Sequence, residues 1–83
     1  MENDSRVTIV NIIVSDRNAV SKVNELLSEF GQYIIGRMGL PYGKKNVSII
    51  CLVMDAPPVA VNAMSGKLGM LKGVTSKTLT TKI

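Results

Sequence analysis

The stretch RVTIVNIIV (Arg6 to Val14) decides the fold, because apolar and mostly β-branched side chains occupy both of its faces. Such a run is typical of a strand in the middle of a sheet, where both faces are covered. A second run, NVSIICLVMD from Asn46, is likewise apolar on both faces. We therefore expect these two runs to be the central strands of one sheet.

The residues that follow the first run predict a helix. Ser15 and Asp16 carry side-chain oxygens that can accept from the free amides of a first helical turn. In RNAVSKVNELLSEF, which starts at Arg17, apolar residues then recur every three or four positions, as on one face of an amphipathic helix. Gly31 is expected to end this helix in the left-handed conformation.

The rest of the chain predicts one more helix and two outer strands. Pro57 and Pro58 suit the first turn of a helix, where the missing amide hydrogens would have no partner. We expect the second strand at about Tyr33 to Met38, a loop from Gly39 to Lys45, and a last strand in GVTSKTLTTK. The inner stripe of the second helix is predicted to be Val61, Met64, Leu68 and Leu71.

The element order is then βαββαβ, which in one sheet with right-handed crossovers gives a ferredoxin-like sandwich of the α+β class. Its antiparallel strands lie in the order 4-1-3-2, and its two helices cover one face. We expect residues 1–5 to be a flexible tail and residues 6–83 to be a single domain, since a chain of 83 residues has no room for a second one.

The second face of the predicted sheet is the reason to expect assembly. Two helices cannot cover both faces, yet both central strands are apolar on each side. The protein is therefore expected to be a homo-oligomer, either a dimer or a tetramer. Asn11, in the middle of the first strand, either pairs with its symmetry-related copy and fixes the register of this interface, or binds ordered water.

Composition limits the function classes. The chain has one cysteine, Cys51, and no run typical of a signal peptide or a membrane-spanning helix, so we expect a cytoplasmic protein outside membranes. The absence of histidine disfavours zinc and nickel sites and Ser-His or Cys-His catalysis, so no metal, cofactor or enzyme activity is expected. The net charge is +4, but the central strands lack the aromatic residues on which RNA-binding domains of this element order stack bases, so direct nucleic-acid binding is not expected.

The segment IIGRMGLPYGKK (Ile34 to Lys45) concentrates glycine, proline and cations. One interpretation is that these residues only shape a long hairpin, because glycine permits unusual backbone angles and proline stiffens a turn. The other is a surface that binds a partner protein or an anion, formed by Arg37, Tyr42, Lys44 and Lys45.

Two segments, IIGRMGLPY and SGKLGMLKGVTSKT, together with the first strand and NELLSEFG, resemble the family of iron-only hydrogenase system regulators. That family is similar to ACT domains and to the C-terminal domain of nickel-responsive regulators, and the resemblance extends from about Arg6 to Lys82. It implies an ACT-like domain that senses a small molecule, such as an amino acid, at a subunit interface.

The resemblance also implies where a ligand binds. VSDRNAV corresponds to the turn between the first strand and the first helix, near which ACT domains bind their ligands. The candidate ligand-binding residues are Ser15, Asp16, Arg17, Asn18 and Ala19, of which Ala19 stands at the family's usual glycine position. The alternative is that the first four residues only cap the helix.

Three hypotheses for function follow. The leading one is a non-enzymatic regulatory or sensor domain that acts as a homo-oligomer through a small ligand or a partner protein. The second is a structural protein interaction module that senses no ligand. The third, an enzyme of ferredoxin-like fold such as an acylphosphatase, requires a turnover that is lost when Arg17 or Arg37 is replaced by alanine.

Overall fold

The structure, a computed structural model, describes residues 5–83. All of the expected tail except Ser5 lies outside the described residues. The strands and helices are β1 (Arg6–Val14), α1 (Val20–Glu29), β2 (Ile34–Tyr42), β3 (Val47–Ala56), α2 (Pro58–Gly69) and β4 (Val74–Thr80). Short 3-10 turns precede α1 at Arg17–Ala19, follow it at Gly31–Tyr33, and join β2 to β3 at Gly43–Lys45. No helix within residues 5–83 is long and apolar enough to cross a membrane.

The four strands form one antiparallel sheet in the order β2-β3-β1-β4. This is the expected order 4-1-3-2 in reverse, so the ferredoxin-like prediction is confirmed. β1 and β3 are the central strands, as their apolar composition indicates, and each has a hydrogen-bonded neighbour on both sides. β4, rich in threonine, lies at one edge.

The hydrophobic core lies between one face of the sheet and the two helices. Alternate residues of the central strands point into it, including Val10, Ile12, Leu52 and Met54, all of which are inaccessible to solvent. The helices contribute Val23, Leu26 and Leu27 from α1 and Ala60, Val61, Met64 and Leu68 from α2. Of the predicted inner stripe of α2, Leu71 lies beyond the end of the helix at Gly69 and is only half-buried against the core. Within residues 5–83, both helices pack on this face of the sheet, and the other face therefore has no helical layer.

The intervening residues of the strands form an uncovered face, which we call the open face. In β1 and β3 it consists of Val7, Ile9, Asn11, Ile13, Val47, Ile49, Cys51, Val53 and Asp55, which pair across the two strands in register. The outer strands add Met38, Leu40 and Tyr42 from β2 and Thr75, Lys77 and Leu79 from β4. The expectation that both central strands are apolar on each side is confirmed.

The predicted loop from Gly39 to Lys45 is wrong, because β2 continues through Gly39, Leu40 and Pro41 to Tyr42. β2 is an edge strand, in which only alternate amides bond to the neighbouring strand, so proline and glycine are accommodated there. The connection to β3 is one 3-10 turn that Asn46 closes in the left-handed conformation, at φ 55°. The glycine-rich segment is therefore mainly strand.

The expected left-handed stop at Gly31 is also wrong. Phe30 already leaves the helical region at φ −105° and ψ 15°, and a 3-10 turn follows, so no left-handed residue is needed there. Within residues 5–83 the left-handed glycine is Gly73, at φ 78°, between α2 and β4. A Cβ atom on Gly73 would lie 2.4 Å from the Cβ atom of Asp16, so this position accepts only glycine without movement.

Candidate functional site

The turn between β1 and α1 is held together by its own polar groups. The backbone amide of Ser15 donates to the carbonyl oxygen of Gly73 at 2.7 Å, and the hydroxyl of Ser15 donates to the same oxygen at 3.2 Å. The carboxylate of Asp16 accepts from the amide of Asn18 at 2.9 Å and thereby caps the 3-10 turn. These hydrogen bonds give Ser15 and Asp16 a structural role, which accounts for their presence in the turn without a ligand.

The candidate ligand residues of this turn face two different surfaces. Asp16, Asn18 and Ala19 line a shallow groove beside the end of α2, together with Lys22, Met70, Leu71 and Lys72. Ala19 is only 5% exposed and belongs to the hydrophobic core. Arg17 instead lines a separate cavity on the side of the β2–β3 hairpin. The structure thus does not bring the five residues around one ligand position.

The cavity at Arg17 has a volume of about 150 Å³ and lies between the start of the first helix and the hairpin; we call it the hairpin cavity. Its lining consists of Val14, Arg17, Val20, Pro41, Tyr42, Gly43, Asn46, Val47 and Ser48. It therefore joins Arg17, from the candidate ligand turn, to Tyr42, from the candidate partner surface.

The cations of the glycine-rich segment do not form a single cluster. Arg37 lies in the middle of β2, and its Nη2 donates to Oδ1 of Asn24 in α1 at 3.2 Å. Lys44 and Lys45 lie in the turn beside the hairpin cavity. Arg37 thus binds the helical layer, whereas the two lysines stay with Tyr42 at the end of the hairpin.

Lys67, in α2, is a further cation, and its described contacts are with the end of α1. Its Nζ forms an ion pair with Oε1 of Glu29 at 3.1 Å and lies 5.8 Å from the centre of the Phe30 ring. Both contacts are with the end of α1, so Lys67 connects the two helices.

The open face is the largest candidate interface. Ile13, Met38, Leu40 and Leu79 lie on it, and 46%, 63%, 54% and 61% of their surfaces are exposed. Asn11 lies in the middle of this face, between Cys51 and Lys77, and lines a shallow, mostly apolar cleft with Ile13 and β4. Four strands about 4.8 Å apart and nine residues of about 3.3 Å give a face of roughly 19 by 30 Å.

Within residues 5–83 no three His, Cys, Asp or Glu side chains come close enough together to hold a metal ion. The hairpin cavity contains the Arg17 guanidinium, neutral hydrogen-bonding groups and aliphatic surface, and the groove on the other side of the turn contains one carboxylate and two lysines. This combination suits reversible binding of a small anion or a protein.

Two polar residues of the hairpin cavity, Ser48 and Asn46, were not selected from the sequence. Ser48 occupies an inward position of β3, in the series that continues with Ile50, Leu52 and Met54. A serine in an otherwise apolar inward series is the signal that could have identified it. Asn46 follows two lysines at the end of the turn, and asparagine is among the residues that tolerate the left-handed conformation.

A protein-family model identifies the chain. The TM1266-like model, described as "Iron-only hydrogenase system regulator, putative", matches residues 6–78. The chain belongs to the TM1266-like family. The resemblance inferred from the sequence is therefore confirmed, and family membership supports a regulatory role.

The solved structures agree with this assignment. The TM1266 protein from Thermotoga maritima, whose structure is described as that of an uncharacterized protein, is similar with 39% identity and a TM-score of 0.88. The match covers 92% of this chain and 96% of that chain. The C-terminal domain of the MgtC protein from Mycobacterium tuberculosis is similar in fold alone, with 13% identity, a TM-score of 0.69, and coverage of 99% and 94%. No curated protein matches the chain.

Proposed function

We propose that the protein is a non-enzymatic regulatory domain of an iron-only hydrogenase system, which works in the cytoplasm as a homo-oligomer. It responds to a small ligand or to a partner protein. The observation that carries this proposal is the open face, because a four-stranded sheet with two helices leaves this apolar surface in water unless another molecule covers it.

A second copy of the chain is the occupant that best fits the open face. The face measures roughly 19 by 30 Å, of the same order as the ~800 Å² that each partner contributes to a standard interface. A twofold axis makes the same apolar surface available on both sides, so no complementary charge is needed. Asp55 and Lys77 are the charged residues on this face, in β3 and in the edge strand β4.

The energies are of the right size for association. Ile13, Met38, Leu40 and Leu79 each have about half of their surface exposed, and covering that half contributes roughly 1 kcal/mol per side chain. Two copies then contribute about 8 kcal/mol, which falls within the ~4 to 15 kcal/mol that association costs in lost freedom. The smaller, half-buried side chains around Asn11 add to this. A pairing of Asn11 with its symmetry-related copy fixes the register.

A matched pair of methionine substitutions tests the assembly. Met38 lies on the open face and is 63% exposed, whereas Met70 lies beside the end of α2 and is 85% exposed. We expect Met38→Lys to convert the oligomer to monomers at micromolar concentration, because each interface would bury two lysines. Met70→Lys is expected to leave the mass unchanged, and size-exclusion chromatography with light scattering measures both. A wild-type protein that is monomeric, or a Met38→Lys variant that keeps its mass, would remove the basis of the proposal.

A thermal-shift screen with amino acids and small anions tests ligand sensing. Selective stabilisation by one class of compound supports a sensor, because a ligand that binds only the folded state raises the unfolding temperature, by an amount that increases with the logarithm of its concentration relative to its Kd.

The alternative is a structural interaction module that senses no ligand. The observation in its favour is that Ser15 and Asp16 use their hydrogen-bonding groups within the chain. A stable oligomer that no compound in the screen stabilises, and that captures a defined protein partner, favours this alternative.

A further inference from the structure

We infer that the hairpin cavity binds a small carboxylate with a short branched apolar group and no ammonium group. The inference rests on the proposed function, since it names the ligand class of the regulatory domain. It differs from a ligand site built by Ser15 to Ala19, because only Arg17 of that turn lines this cavity.

The cavity exists because the sheet extends farther than the helices at this end. Val14, Ser48 and Pro41 are register neighbours across β1, β3 and β2. All three residues lie on the face of the sheet that the helices cover. At this end of the sheet, within residues 5–83, no full helical turn lines the cavity above them, and the cavity is bounded there by Arg17 of the 3-10 turn and Val20, the first residue of α1. The turn at Gly43–Lys45 and Asn46 closes the other side. A recess results, with the ends of three strands as its floor.

The lining contains one full positive charge and no acidic residue. Among the side-chain hydrogen bonds and ion pairs within residues 5–83, none involves Arg17 or Ser48, whereas both neighbours of Arg17 in the chain take part in the Asp16 cap. Within residues 5–83 the Arg17 guanidinium thus has no side-chain partner, and a carboxylate is the group with which it forms charge-assisted and often bidentate hydrogen bonds. Ser48 and Asn46 add neutral hydrogen-bonding groups.

The remaining lining selects for an apolar group of limited size. Val14, Val20, Pro41 and Val47 supply aliphatic surface. The volume of about 150 Å³ accommodates a small branched acid. Isovalerate has this size and shape. Burial of its two methyl groups adds affinity that acetate cannot gain.

An amino acid of the same shape is disfavoured by its ammonium group. Valine differs from isovalerate by this group alone, and within the lining it would meet Arg17 and no carboxylate. The ammonium group would lie close to the Arg17 guanidinium, and two like charges at short range repel each other. Lys44 and Lys45, in the adjoining turn, further raise the local positive potential and favour anions over zwitterions.

The test is a titration of ¹⁵N-labelled protein followed by amide chemical shifts, with sodium isovalerate, sodium acetate and valine at constant ionic strength. We expect saturable shifts with isovalerate at Arg17, Val20 and residues 42–48, with acetate and valine binding at least tenfold more weakly. Arg17→Gln should lose this binding. Lys72→Gln removes the same charge from the groove on the other side of the turn and should keep it.

Three results would overturn the inference: sodium chloride alone producing the same shifts, valine binding as tightly as isovalerate, or Arg17→Gln binding with unchanged affinity. The outcome is separable from that of the proposed function. If Met38→Lys dissociates the oligomer while isovalerate produces no saturable shifts, the cavity assignment fails and the assembly proposal stands. If isovalerate binds a wild-type protein that light scattering shows to be monomeric, the cavity assignment stands and the interface proposal fails.

Discussion

Among the glycines, Gly73 is the position at which an added methyl group should lower the free energy of unfolding the most. Its φ of 78° lies in the left-handed region, which costs an alanine about 1 to 2 kcal/mol. The added Cβ atom would also lie 2.4 Å from the Cβ atom of Asp16 and 3.1 Å from its backbone nitrogen. Because one obstructing group is backbone, a change of side-chain rotamer cannot relieve the contact, and the turn between β1 and α1 must move away.

That movement breaks specific hydrogen bonds. The amide and the hydroxyl of Ser15 both donate to the carbonyl oxygen of Gly73, at 2.7 and 3.2 Å, and each bond contributes roughly 1 kcal/mol. With the backbone conformation included, Gly73→Ala should lower the free energy of unfolding by about 2 to 4 kcal/mol. A chain of this length has a total stability of only about 4 to 12 kcal/mol, so the loss is large.

Gly66→Ala is the matched control, since Gly66 lies inside α2 and nothing is within 4 Å of the position of an added Cβ atom. Alanine at this site should raise the free energy of unfolding by roughly 0.5 to 1 kcal/mol through helix propensity. Both are measured by urea denaturation followed by circular dichroism at one fixed protein concentration. A Gly73→Ala variant within 0.5 kcal/mol of the wild type would refute the reasoning, and faster hydrogen exchange of the Ser15 amide is the local signature expected.

Two further predictions use the same denaturation assay. Asp16→Ala removes the acceptor for the Asn18 amide and should lower the free energy of unfolding by about 1 kcal/mol, with a smaller loss for Asp16→Asn, which keeps an acceptor oxygen. Lys67→Met removes the ion pair with Glu29 and the cation near Phe30. Because the side chains of Lys67 and Glu29 are both exposed, this variant should change the free energy of unfolding by less than about 1 kcal/mol. A loss above 2 kcal/mol at Lys67 would contradict the assignment of this pair as a weak surface contact.

The strand order could be predicted from the sequence because the central strands differ in kind from the outer ones. RVTIVNIIV and VSIICLVMDA place apolar groups on both faces, which only a position between two neighbours explains. The final strand is threonine-rich, and the structure places it at an edge. An apolar pattern on two faces is a property of the sequence itself, so it can be recognised before any contact is known.

The extent of β2 could not be predicted in this way. Gly36, Gly39 and Pro41 all disfavour a strand by local propensity, yet each lies within one. Hydrogen bonds to β3 along the whole hairpin outweigh these local preferences, which amount to about 1 kcal/mol or less per residue. Propensity describes an isolated segment, and the pairing that overrides it becomes known only when the register is known.

The hairpin cavity could not be predicted from the sequence for a related reason. Arg17 and Tyr42 belong to different parts of the chain, and they meet only because β2 is long enough to bring the turn after Tyr42 beside the first helical turn. If residues 39–45 had been a loop, as the glycine and proline content suggested, no fixed wall would exist there. The error in the length of β2 and the failure to foresee the cavity are therefore one error.

The long β2 strand also connects the two surfaces on which the proposed function depends. Met38 and Leu40 lie on the open face, and Pro41 and Tyr42, the next residues along the chain, line the hairpin cavity. β2 is an edge strand with one hydrogen-bonded neighbour, so its position can change with less disruption of the core than that of a central strand. By thermodynamic linkage, an anion that binds the oligomer more tightly than the monomer must strengthen assembly by the same factor. A regulator of the proposed kind would need no separate signalling element, because β2 lines the hairpin cavity and is also part of the open face.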